Sequence, residues 1–162
     1  MDLHRGYLPG CIGRVAELHA TYYARTSGFG RPFEVKVASE LAAFCERFDA
    51  HRDGLWLVVQ NDRIEASIAI DGRLADTDGA HLRWFIASDA VRGTGVGHSL
   101  LSAALAFCDD RRYERCFLWT FDALHAARHL YEKHGFGLDR TLRGGQWGTV
   151  VNEQRFVRRR PG

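Results

Sequence analysis

Hydrophobic residues change period several times along the chain, and each change marks an element. Val15, Leu18 and Tyr22 recur at helical spacing, and Phe33, Val37, Leu41, Phe44 and Phe48 repeat every three or four residues, so two amphipathic helices are predicted to open the fold. Residues 55–60 form a β-prone apolar run, Asn61-Asp62-Arg63 makes a turn, and Ile64, Ala66, Ile68 and Ile70 then alternate with Glu65, Ser67, Ala69 and Asp71. This pattern predicts a β-hairpin. After polar turn residues at 76–79, residues 81–87 read as a strand with Leu82, Trp84 and Ile86 on one face and His81, Arg83 and Phe85 on the other.

The helical period returns with Val96, Leu100, Leu101, Ala104, Leu105 and Cys108, and that helix runs out in the charged residues 109–112. A strand over 116–120 follows. Residues 124–134 suit a helix stopped by Gly135, where a left-handed cap is favoured, and the remainder reads as two closing strands broken at Gly144-Gly145. The order is helix, helix, three strands, helix, strand, helix, two strands. It specifies an α/β fold with a mixed sheet and helices on both faces.

Length and composition narrow the class. A chain of 162 residues is expected to form one domain over 1–162, with its core at about 10–158 and Arg158-Arg159-Arg160 as a short, solvated basic tail. A net charge of +2, evenly spread, argues against a nucleic-acid partner. No signal peptide or membrane-length apolar run is evident, so a soluble, cytoplasmic protein without a membrane partner is expected. Cys11, Cys45, Cys108 and Cys116 stand singly in apolar surroundings. They read as buried free thiols, and no metal site is expected.

The chemistry concentrates at Arg92-Gly93-Thr94-Gly95-Val96-Gly97, between a strand end and a helix start. Backbone N–H groups at such a start lack intrahelical partners, glycine removes the Cβ that would hold an anion away, and the helix dipole and Arg92 add positive potential. A pyrophosphate suits that environment. The Walker pattern fails because no Gly-Lys-Ser/Thr follows, and a dinucleotide GxGxxG would need glycine where His98 stands. A glycine-rich connection without a ligand is the remaining alternative.

Arg92-x-x-Gly95-x-Gly97 after an antiparallel strand resembles the acetyl-CoA motif of the GNAT superfamily of N-acetyltransferases, usually Gln/Arg-x-x-Gly-x-Gly/Ala. Leu130-Tyr131-Glu132-Lys133-His134-Gly135-Phe136 resembles the helix signature of the same family, at the right separation. The resemblance covers nearly the whole chain and implies a mostly antiparallel twisted sheet, splayed at the acetyl-CoA site. A softer likeness, through Ile12-Gly13-Arg14, Leu18-His19, Tyr22-Tyr23, Gly28-Phe29-Gly30 and Phe33-Glu34, is to the acetyltransferase half of bacterial MarR-type regulator fusions.

The resemblance also assigns roles. Backbone groups of Phe85, Ile86 and Ala87 would pair with pantetheine, and Arg92, Gly93, Thr94, Gly95, Val96, Gly97 and His98 would hold the pyrophosphate. Tyr131 matches the tyrosine that donates to the departing thiolate. Direct attack on the thioester by the primary amine of a small molecule or amino terminus also needs a proton acceptor, for which Glu34, then His81, with Arg83 and Glu65 nearby, are the candidates. Each also has an ordinary reading: surface ion pairs for Glu65 and Arg83, a first-turn carboxylate for Glu34 and a solvated imidazole for His81. Leu124 stands where the family often has a cofactor-contacting asparagine, leaving Asp122 to cap the helix. A homodimer joined through the closing strands fits the family. A CoA-binding sensor without turnover is the alternative function.

Overall fold

A computed structural model describes all 162 residues. The elements are β1 (Asp2–Arg5), α1 (Cys11–Ser27), α2 (Arg31–Glu46), β2 (Gly54–Gln60), β3 (Arg63–Asp71), β4 (Ala80–Ala87), α3 (Val96–Asp110), β5 (Arg115–Phe121), α4 (His125–Lys133), β6 (Gly137–Gly144) and β7 (Val151–Arg159). The seven strands form one sheet in the order β1-β2-β3-β4-β5-β7-β6. Every neighbouring pair is antiparallel except β4 and β5. The mixed sheet with helices on both faces is therefore the observed architecture.

Two apolar clusters sandwich the sheet. Trp56, Val58, Ile68 and Ile70 point toward α3 and α4, where they meet Leu100, Leu101, Leu105 and Tyr131. Leu55, Leu57, Ile64 and Ala69 point toward α1 and α2, where they meet Val15, Phe33, Val37, Leu41 and Phe44. Strand β2 is apolar without alternation because both of its faces are covered. Asn61 and Asp62, both at left-handed φ values of 52° and 59°, make the two-residue turn into β3.

The opening strand β1 was not foreseen. Asp2-Leu3-His4-Arg5 pairs with β2 from Val59 to Trp56, so a strand and not a helix opens the fold. Its residues are largely exposed, and an edge strand with one covered neighbour carries little hydrophobic signal. The basic end is likewise structured. Arg158 and Arg159 lie in β7, Arg158 forks onto both Asp109 carboxylate oxygens at 3.0 and 3.1 Å, and the Arg160 N–H donates to the Glu114 carbonyl.

The alternation expected in β4 is broken once. Pairing with β3 shifts between Ser67 and Ala69, and Trp84 takes a φ of 49°, so β4 carries a bulge. Leu82 faces α3, whereas Trp84 joins the cluster under α1 and α2. The Ser67 hydroxyl donates to the Trp84 carbonyl at 2.6 Å and holds the bulge in place. Strand β4 pairs with β5 only at Ala80–Cys116 and His81–Phe117, and beyond His81 the two strands part. This splay opens a cavity between β4 and β5.

Candidate active site

On the α3 side of the splay, Gly93 and Gly95 take φ values of 83° and 84°, which L side chains rarely adopt, and a Cβ added at either would meet nothing within 4 Å. The turn is thus open to solvent. Val91 and Arg92 N–H groups donate to the Ser88 carbonyl and Thr94 N–H to the Val91 carbonyl, but the N–H groups of Gly93, Gly95, Val96, Gly97 and His98 have no backbone acceptor. Gly95 caps α3 without any side-chain hydrogen bond. Five unpartnered amides at the positive end of a fifteen-residue helix fit a pyrophosphate.

Gly97 serves a different need. Its Cβ would lie 3.2 Å from Leu130 Cδ2 and 3.6 Å from Phe85 Cζ, so glycine here lets α3 approach α4 and β4. Arg92 is turned away from the amides. Its guanidinium donates to Asp89 and to the Ala87 carbonyl and lies 4.7 Å over the Tyr22 ring, so it braces the turn against α1. The Thr94 hydroxyl donates to the Val91 carbonyl. His98 meets His134, with 2.9 Å between ring nitrogens. The splay frees the β5-facing side of β4 beyond His81, including Phe85, Ile86 and Ala87, although the Ala87 carbonyl is already engaged by Arg92.

A cavity of about 300 Å³ occupies the splay. Its floor is Arg83, Trp84 and Phe85 of β4 with Leu118 to Phe121 of β5. Tyr131 of α4 closes the end beside Phe85, with ring centres 6.1 Å apart. The opposite wall is His19 and Tyr23 of α1, Phe29, and Phe33, Lys36, Val37 and Glu40 of α2, and Gln146 and Trp147 reach in from the connection between β6 and β7. Gly148, at φ 86°, allows that connection to lie on α2, since a Cβ there would stand 2.6 Å from Pro32 Cβ. Trp147 is thereby stacked 6.5 Å from Phe29.

Burial sets the protonation of this wall. Tyr131 and Tyr23 are pushed up, Tyr23 to about 12, so both phenols keep their protons at neutral pH. His19 is lowered to about 4 by burial, and its Nδ1 donates to the Val15 carbonyl at 2.8 Å, which leaves Nε2 as the bare nitrogen. His81 is lowered to about 3 by burial and by Arg83, and its ring stacks 4.4 Å from Phe117. Both imidazoles are neutral at pH 7. Desolvation would raise the Glu40 carboxyl, but hydrogen bonds from Lys36 and Arg83 outweigh it and hold the group below its ordinary value.

The expected site residues therefore divide. Tyr131, Phe85, His81 and Arg83 come together in the cavity. Glu34 is exposed in the first turn of α2 and lies outside the lining. Glu65 is buried against Arg14 at 2.5 Å and accepts from Ser88, so it joins α1 to β3. Asp122 does not cap α4; it accepts from the Asn152 amide at 2.9 Å and ties β5 to β7. Leu124 packs under the α1–α2 cluster. His19, Lys36 and Glu40 were not anticipated, although Lys36 and Glu40 flank the Phe33–Val37 stripe at a helical i, i+4 interval.

A model of the acetyltransferase (GNAT) family matches residues 15–136. The chain belongs to that family and is an acyltransferase. Among solved structures, it is similar to ribosomal-protein-alanine N-acetyltransferase from Brucella melitensis (13% identity, TM-score 0.76, covering 98% of this chain and 99% of that one). It is also similar to YncA from Salmonella typhimurium, solved with its cofactor acetyl-CoA (14%, 0.75, 100% and 96%), and to a mutant of spermidine N-acetyltransferase SpeG from Vibrio cholerae (16%, 0.70, 98% and 95%). At these identities the likeness is one of fold. No curated protein matches the chain. The family match concerns the acetyltransferase and adds nothing to the front half's likeness to regulator fusions. No helix is long and apolar enough to cross a membrane, and no group of three or more His, Cys, Asp or Glu is placed to hold a metal ion.

Proposed function

We propose that the protein transfers an acetyl group from acetyl-CoA to a primary amine held in the splay cavity. The observation that carries this reading is the set of five unpartnered amides, those of Gly93 and of Gly95 to His98, at the start of α3, where Gly97 stands against Phe85, a lining residue of the cavity that Tyr131 closes. Acetyl-CoA, when bound, supplies the thioester carbonyl that the amine attacks. The amides of the turn hold its pyrophosphate, and the free edge of β4 at Phe85 and Ile86 orients the pantetheine arm as an added strand would.

The phenol of Tyr131, kept protonated by burial, donates a hydrogen bond to the sulfur as negative charge develops there. His19 takes the proton from the amine, because its tautomer is fixed with Nε2 bare and the residue lines the acceptor wall. His81 is the second imidazole in reach, whereas Glu34 lies outside and Glu40 is tied to two cations. Pairing of two chains would use β6, the sheet edge, where Leu138 and Leu142 are exposed.

The test is Tyr131→Phe. Its kcat should fall roughly ten- to a thousandfold while acetyl-CoA affinity stays within a small factor. An unchanged kcat would remove the phenol from the reaction.

A further inference from the structure

Only three residues of the cavity wall carry full charges at neutral pH: Lys36, Glu40 and Arg83. Glu40 lies between the two cations, accepting from Lys36 Nζ at 2.6 Å through Oε2 and from Arg83 Nη2 through Oε1. Two positive groups thus share one carboxylate. Both histidines of the wall are neutral, and Asp71, across the strand pair from His81, is already paired with Arg47. The cavity is left with one uncompensated positive charge.

That charge has open donors. Arg83 is the more buried cation, its side chain 19% exposed and its guanidinium fixed 4.2 Å over the Trp84 ring. Of its three nitrogens only Nη2 has an acceptor in the protein. Lys36 Nζ likewise makes one hydrogen bond. A partly desolvated guanidinium with free N–H groups favours a carboxylate, which it can bind through two parallel hydrogen bonds. Tyr23, Phe29, Phe33, Phe121 and Trp147 form an apolar cluster lining the same cavity, with ring centres 5.1 to 6.5 Å apart.

We infer that the acceptor is a primary amine that also carries a carboxylate, on a mainly apolar or aromatic body, with the carboxylate held by Arg83 and Lys36; this rests on the acetyl-transfer reading above. A free α-amino acid has this chemistry. Arg83, Phe85 and Tyr131 line one cavity of about 300 Å³, so a small molecule held at the guanidinium shares the space of the reacting end. A polyamine would set its second cation against the surplus positive charge. An amino terminus within a protein would present a neutral amide where the cations call for an anion.

Matched pairs test the class. L-phenylalanine against 2-phenylethylamine, and L-leucine against 3-methylbutylamine, differ only in the carboxylate; spermidine represents polycations. With acetyl-CoA saturating, and rates corrected for each amine's neutral fraction, kcat/KM from thiol release should be at least tenfold higher for the amino acid of a pair. Arg83→Gln should collapse that ratio to within about threefold, and Lys36→Met should reduce it partly, with thermal melts checking that each variant is folded. Equal or better use of the carboxylate-free amines or of spermidine overturns the assignment. If no amine releases thiol although acetyl-CoA stabilises the protein, the acetyl-transfer reading fails. Calorimetric binding of the same pairs to the CoA-loaded protein then decides the ligand class: preferential amino-acid binding that Arg83→Gln abolishes supports it, and no preference or no binding overturns it.

Discussion

The proposed donor and acceptor sites are built from different parts of the polypeptide. For the donor, one contiguous turn offers its backbone, where positive-φ glycines expose amides that nothing else in the protein uses. For the acceptor, the cavity offers side chains brought from α1, α2, β4, β5 and the β6–β7 connection. A backbone cradle depends on little besides glycine and a helix start, so it can stay constant while the opposite wall changes. A wall of side chains sets what is admitted.

The sharpest way to break this contrast is to substitute within the turn. Gly95→Val forces a β-branched residue into φ 84°, a strain of about 1–3 kcal/mol that also turns the amides, and acetyl-CoA binding should be lost. Gly97→Ala meets only the movable Leu130 and Phe85 side chains, so binding should weaken by less than about tenfold, under about 1.4 kcal/mol. Thermal shift with acetyl-CoA reads both. Equal losses would mean that the turn acts by packing and not by exposed amides.

A smaller effect is expected on the acceptor wall. Trp147→Ala removes an aromatic that stacks on Phe29 and packs tilted against Phe121, and should raise the acceptor KM about tenfold, the scale of roughly 1.5 kcal/mol of apolar burial, with acetyl-CoA binding unaffected. A matching loss of acetyl-CoA affinity would show that the two sides are not separable.

The acid response appears in folding stability, not in binding, and comes from the two neutral imidazoles. His19 and His81 are lowered to about 4 and about 3, against about 6.5 in the unfolded chain, so below pH 6.5 the unfolded state binds protons that the folded state does not. Stability is therefore greatest above pH 6.5 and declines as pH falls toward 4, by roughly 2 kcal/mol per imidazole near pH 4.5. Melting temperatures across that range should show it, and His19→Gln should make the slope shallower. An unchanged slope would mean that His19 is already protonated in the folded protein.

How much of this was legible beforehand follows the same division. The helical stripe ending at Phe48, the Asn61-Asp62 turn, the glycine segment and Tyr131 are local patterns, and the structure places the elements they predict within a residue or two. The bulge at Trp84 was invisible because it depends on how β3 and β4 pair, and it moved Trp84 to the opposite face. Arg92 carried the right motif letter, yet Asp89 and Tyr22, which no motif includes, decide where its charge points. His19 looked like one more residue on an amphipathic helix, and only the tertiary fold shows that it lines the same cavity as Tyr131. Glu34 stands on the right helix but about 1.7 turns before Glu40, the carboxylate that lines the cavity.

Free-thiol release from acetyl-CoA in the presence of an amine panel, followed in parallel for wild type and Tyr131→Phe, tests the central claim most directly. The account predicts amine-dependent thiol release with the acetylated amine as product, reduced roughly ten- to a thousandfold by the substitution. Thermal stabilisation by acetyl-CoA with no thiol release for any amine would contradict it and leave a CoA-binding sensor on the same fold.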